Sequence, residues 1–232
     1  MNASVEYWLK AAYRENPPTM AFDDILPANA LKKAIALLKK RWLRNFDRAA
    51  PKLAKYFATA VQNRSDKALA KILRDGGFSV KFQMSQAMKD VVQATTTENV
   101  GLIKSIASQH LNEVEGLVMR SVSRGRDLGY LSKELEKRYG VTKRRAALIS
   151  KDQNNKATAN MHRVRQVELG ITQAKWRHSG GGKVPRPTHV ANNGKLYDVE
   201  KGWWDPAVKQ FIHPGELINC RCVSISVIPG FS

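Results

Sequence analysis

The sequence predicts an α+β protein, with a mainly α-helical N-terminal part followed by a small C-terminal α+β module. Three observations predict it. Apolar residues recur at helical spacing from Leu31 almost to Gly170. Beyond Gly170 that period ends, and Gly180-Gly181-Gly182, Pro185, Pro187, Asn193-Gly194, Pro206 and Pro214-Gly215 cut the chain into short segments. The last segment, Cys220–Ile228, is rich in β-branched residues. The expected organisation is an N-terminal arm over 1–27, a helical region over 28–140, and over 141–232 the module with its long lead-in helix.

The opening residues carry Pro17-Pro18 and Asp23-Asp24 without a sustained period, which reads as an irregular arm. From Leu31 the pattern changes. Leu31, Ile35, Leu38, Trp42 and Phe46 share one face of a helix, and Lys33, Lys40, Arg44 and Arg48 fall on the opposite face. Pro51 suits the first turn of a second helix, where no N–H is needed, and Leu53, Phe57 and Val61 line that helix until Asn63–Ser65 interrupt it. A short helix over Asp66–Arg74 stops at Gly76-Gly77, and Phe78–Phe82 has the alternation of a brief strand or an extended connector. Helical periods return at Ser85–Gln93, Thr97–Met119 and Leu128–Tyr139, with Gly140 as a stop and Thr142 as the next N-cap.

Lys143–Gly170 is the longest expected helix. Ala146, Ile149, Ala157 and Val164 share a face with the amides of Gln153 and Asn160, which need hydrogen-bond partners wherever that face is buried. Thr172–His178, Lys195–Val199 and Cys220–Ile228 read as strands.

A balance of 39 Lys and Arg against 20 Asp and Glu gives a net charge of +19, and the excess lies on both sides of Ser150. Such a charge points to a polyanionic partner. The cations expected to meet nucleic acid are Lys33, Lys40, Arg44 and Arg48, with Lys143, Arg144 and Arg145 at the head of the long helix. A solvated basic face is the plainer explanation of the same residues. With 43% hydrophobic and 25% charged residues the chain is not wholly disordered, and no apolar run approaches the roughly 18 residues a membrane span needs. The first twenty residues lack a secretory leader pattern, so cytoplasmic assembly is expected, and reduced thiols are expected at Cys220 and Cys222.

Imidazole and thiolate are the ligands zinc prefers, and His178, His189, His213, Cys220 and Cys222 gather in the C-terminal module. Cys220-x-Cys222 on a strand would aim both sulfurs to one side, unlike the usual knuckle with two to four intervening residues. Two readings stay open. One is a structural zinc on His178, His189, Cys220 and Cys222; the other is two small thiols packed beneath the sheet, with the histidines in ordinary hydrogen bonds. No other cofactor is suggested.

A nuclease would set His189 or His213 as a base beside Asp198, Asp205 or Glu216. No phosphate-cradling loop, His-Glu-x-x-His or Gly-x-Ser-x-Gly elbow accompanies them, so no enzyme is expected and no catalytic residue is assigned. Trp176, Tyr197, Trp203 and Trp204 among Lys175, Arg177, Lys183, Arg186 and Lys201 would suit base stacking, but in so small a module large aromatics are expected in the core.

Trp176, the Arg186-Pro187-Thr188-His189 element with Gly194, and the closing Asn219-Cys220-Arg221-Cys222 strand resemble the phage Mu F-like family of minor head, or head morphogenesis, proteins. The resemblance runs from about Ala94 to Gly230 and includes the helix before Gly170. It departs where many members have an Asp ahead of the Arg-x-x-His element; here Lys183 and Val184 stand. The resemblance implies a low-copy structural protein in the head interior near the portal. Its implied partners are the portal protein, double-stranded DNA, and major capsid or scaffold proteins, with roles in head assembly and genome delivery. It supplies no catalytic residues. Sequence-independent duplex binding is the expectation; a metal-dependent nuclease or toxin-like effector, and a scaffold absent from the mature virion, are the alternatives.

Overall fold

The computed structural model describes residues 2–15, 25–123, 128–181 and 184–228. Four helices come first: α1 (Asn2–Glu15), α2 (Ile25–Asp75), α3 (Gln86–Ser123) and α4 (Leu128–Glu168). The module follows as β1 (Gln173–Arg177), α5 (Pro187–Ala191), β2 (Leu196–Asp198), β3 (Trp203–Asp205), β4 (Gln210–Ile212) and β5 (Val223–Ser226). The fold is the α+β arrangement read from the sequence.

The helices are longer and fewer than their punctuation suggests. Pro51 lies inside α2 instead of starting a helix. The hydrogen bond it removes is offset by packing, because Ala50, Ala54, Ala58 and Val61 are all buried on one side of that stretch. Asn63–Ser65 do not interrupt α2 either: Ser65 is buried, and the buried Gln62 donates from Nε2 to Asp66 Oδ2 one turn on (2.6 Å). The segments on either side of Thr95 and Thr96 form one helix, in which Thr96 Oγ1 donates back to Val92 O (2.7 Å). Gly140 does not stop α4. Thr142 is no cap; its hydroxyl donates to Arg138 O (3.1 Å) and meets His110 Nδ1 (2.9 Å). Phe78–Phe82 is a connector without strand pairing.

The N-terminal residues are not an irregular arm over their described part. α1 buries Val5 and Leu9, an i,i+4 pair too short to register as a sustained period. Residues 16–24 of that expected arm lie outside the described residues.

Contacts divide the chain into two compact units, one of Met1–Lys52 with Val100–Ala147 and one of Leu53–Asn99 with Leu148–Ser232. The first has a core of Val5, Leu9, Leu31, Ile35, Leu111, Val114, Leu117, Val118 and Leu131, on which Trp42 and Leu43 pack. Ion pairs Lys39–Glu115 (2.9 Å) and Arg138–Glu113 (3.3 Å) lie in the same unit.

The second unit has a helical core of Val61, Met88, Ala157 and Met161 and a module core around Trp176. Antiparallel strands run in the order β2-β1-β5, with Ala174 opposite Tyr197 and Trp176 opposite Ser224. The alternation of β1 buries Ala174 and Trp176 and leaves Gln173, Lys175 and Arg177 exposed. The β3-β4 hairpin, absent from the sequence reading, is two three-residue strands on either side of Pro206. Gly215 approaches α4 so closely that a Cβ there would stand 2.7 Å from Ala159 Cβ, and its φ of +85° is one that glycine adopts without strain. Among the described residues no helix is long and apolar enough to cross a membrane.

Candidate functional site

The module's short helix α5 begins with Pro187, whose fixed φ suits the first turn, and this start turns His189 inward. The segment before β5 has no regular structure, and it brings the sulfurs of Cys220 and Cys222 to the same place. The three side chains converge. Cys220 Sγ lies 3.5 Å and Cys222 Sγ 3.6 Å from the same atom, His189 Nδ1, and all three residues are buried. The other ring nitrogen, Nε2, stands 3.3 Å from Asp205 Oδ2, within charge-interaction range but without the alignment of a hydrogen bond.

Asp205 is itself fully buried and fixed, accepting from Thr188 Oγ1 (3.3 Å) and from Ala207 N (2.9 Å). The rings of Trp176 and Trp203 close on the imidazole edge-on, at centroid separations of 5.1 and 6.3 Å. A hydrogen bond from Cys222, with a further contribution from His189, draws the Cys220 thiol well below the ordinary thiol range. Its sharing with Cys220, followed by burial, pushes Cys222 up.

His178 does not join the cluster. Its Nδ1 accepts from Gly180 N (3.2 Å), and the residue lines a small cleft beside the centre with Arg186 and Arg221. Of the residues named for a nuclease, the structure brings His189 beside Asp205 and His213 Nδ1 within 3.5 Å of Glu216 Oε2, and it places Asp198 in a turn. Asp198 Oδ1 accepts from Glu200 N and Lys201 N, Glu216 Oε2 accepts from His213 N, and Arg163 Nη1 donates to His213 Nδ1. The aromatics are largely core: Trp176 and Tyr197 are buried, Trp203 packs on that core, and Trp204 is half-exposed against Phe211.

The seven cations singled out in the sequence all fall in the first compact unit. Lys33, Lys40, Arg44 and Arg48 are exposed along α2. Lys143 and Arg144 are exposed on α4, and Arg145 is partly buried there. Among the described residues none of the seven forms an ion pair with an acid, whereas Lys39 and Lys104 do.

Residues 112–225 match the family described as phage Mu protein F like protein. That stretch is a phage Mu F-like segment. An uncharacterized protein of Haemophilus influenzae (strain ATCC 51907 / DSM 11121 / KW20 / Rd) is 35% identical over 153 residues, which cover 65% of this chain. The chain spans about a third of the length of that relative, 32%. No solved structure matches the chain.

Within the Mu F-like segment the residues of the family pattern have identifiable physical work. Trp176 forms the wall beside His189, and Arg186 Nη2 donates to Ile218 O (2.9 Å), holding the turn that leads into Cys220. Gly194 takes a φ of +82° between α5 and β2, with its N–H on Trp176 O (2.7 Å). Asp205 was visible in the sequence only as one of three acids; its place behind His189 depends on the β3-β4 hairpin.

Proposed function

We propose that this protein is a minor head protein of a phage: a low-copy structural component of the virion, associated with the portal and the packaged DNA, acting in head morphogenesis and genome delivery. The Mu F-like segment over 112–225 carries this reading. The net charge of +19 and the exposed cations of α2 and α4 support contact with duplex. Lysines and arginines that neutralise phosphates release condensed counterions, which gives affinity without base recognition. The work proposed is therefore binding and assembly, with no reaction assigned to any residue.

The test is a phage prevented from expressing the chain. The expected result is a normal supply of major capsid protein with heads that are misassembled or fail to deliver DNA. Undiminished yields of infectious particles would overturn the reading.

A further inference from the structure

We infer that His189, Cys220 and Cys222 form a zinc-class metal site with three protein ligands, its fourth position open to the cleft lined by His178. The donor set is the first argument. One imidazole and two thiols suit a borderline-soft transition metal, whereas calcium and magnesium take oxygen ligands. Spacing is the second. Tetrahedral bonds of about 2.0–2.1 Å to nitrogen and about 2.3 Å to sulfur place N and S roughly 3.5–3.6 Å apart. The observed separations from Nδ1 are 3.5 and 3.6 Å, and the three donor atoms all lie within 4.8 Å of one another.

The surroundings supply the third argument. A metal-bound histidine usually turns its other nitrogen to a carboxylate or carbonyl that fixes the tautomer. Here Nε2 stands 3.3 Å from the carboxylate of Asp205, which Thr188 and Ala207 hold in place, and Nδ1 faces both sulfurs. A disulfide is the poorer use of these thiols, since closing it across one intervening residue is strained. Binding replaces the thiol protons, which pass to solvent, and involves no change of oxidation state. His178 lines the cleft without being a ligand, which revises the four-residue set read from the sequence.

The experiment uses the full chain, purified, stripped of metal and titrated with Zn2+ and with Co2+. The expected result is one metal per chain, with Co2+ giving thiolate charge-transfer bands and the intense visible absorption of a tetrahedral site. His189→Ala and Cys220→Ser should lose these signals, and His178→Ala should keep them. A wild-type measurement guards against variants that misfold: Zn2+ should protect both thiols from a thiol reagent. Absence of metal uptake, with equal thiol reactivity with and without Zn2+, would overturn the site. Loss of binding in His178→Ala would overturn the three-ligand assignment.

Discussion

Arg165 on α4 holds Asp66 on α2 through two parallel hydrogen bonds, Nε to Oδ1 and Nη2 to Oδ2, each 2.8 Å. Its remaining nitrogen, Nη1, donates to Gln83 O (2.8 Å) and Glu168 Oε2 (2.7 Å), and the guanidinium lies over the Phe82 ring at 4.7 Å. One buried side chain thus ties α4 to α2 and to the connector before α3. Ninety-nine residues separate the pair, so no local pattern in the sequence announces it.

Removing the acid should be the more damaging change. Asp66→Ala leaves a buried cation without its main counter-charge and is expected to cost about 3–5 kcal/mol. Arg165→Met, which removes the charge and keeps most of the volume, should cost less than Asp66→Ala. Chemical denaturation of both variants checks this order, and equal losses would contradict it.

Acid should weaken the fold through buried histidines. Burial, aided by the nearby charge of Arg138, holds His110 below the ordinary imidazole range, and burial lowers His162 despite an opposing backbone hydrogen bond at Ser224. The unfolded chain therefore binds more protons than the folded one as pH falls below about 6.5, and stability falls with it until the folded-state values are passed. The thermal midpoint is expected to be lower at about pH 5 than at about pH 7.5, and His110→Gln should reduce that difference. An unchanged difference would remove His110 from this account.

Duplex binding should be salt-dependent and indifferent to sequence. Replacing Lys33, Lys40, Arg44 and Arg48 together by Ala is expected to reduce the slope of log affinity against log salt by up to about 0.9 for each phosphate the variant no longer neutralises. Those side chains are exposed, so folding should survive, as circular dichroism can verify. An unaltered slope would place the DNA-binding surface elsewhere.

Much of this architecture was legible and some was not, for physical reasons. The opposed apolar and basic faces of α2 were readable because helical periodicity is local: Leu31 and Ile35 are buried while Lys33 and Arg44 are exposed. The strand at β1 was readable for the same reason. Helix ends were not, since Pro51, Gly140 and Thr142 carry stop or cap signals that tertiary burial and side-chain bonding override. Gln153 shows the amide expectation met, accepting from Asn99 Nδ2 (3.2 Å) and donating to Glu98 Oε1 (2.8 Å). Cysteine spacing alone left both zinc and packed thiols open, and it could not show the approach of each sulfur to His189 on which the proposed site rests, because the fold brings together positions 31 and 33 residues apart.

Quantitative mass spectrometry of purified, DNA-filled particles tests the proposed role without depending on any variant. The chain should be found in the particles at far fewer copies than the major capsid protein and in a fixed ratio to the portal. Its absence from particles that retain their portal would contradict a structural role in the virion and favour a scaffold released during assembly.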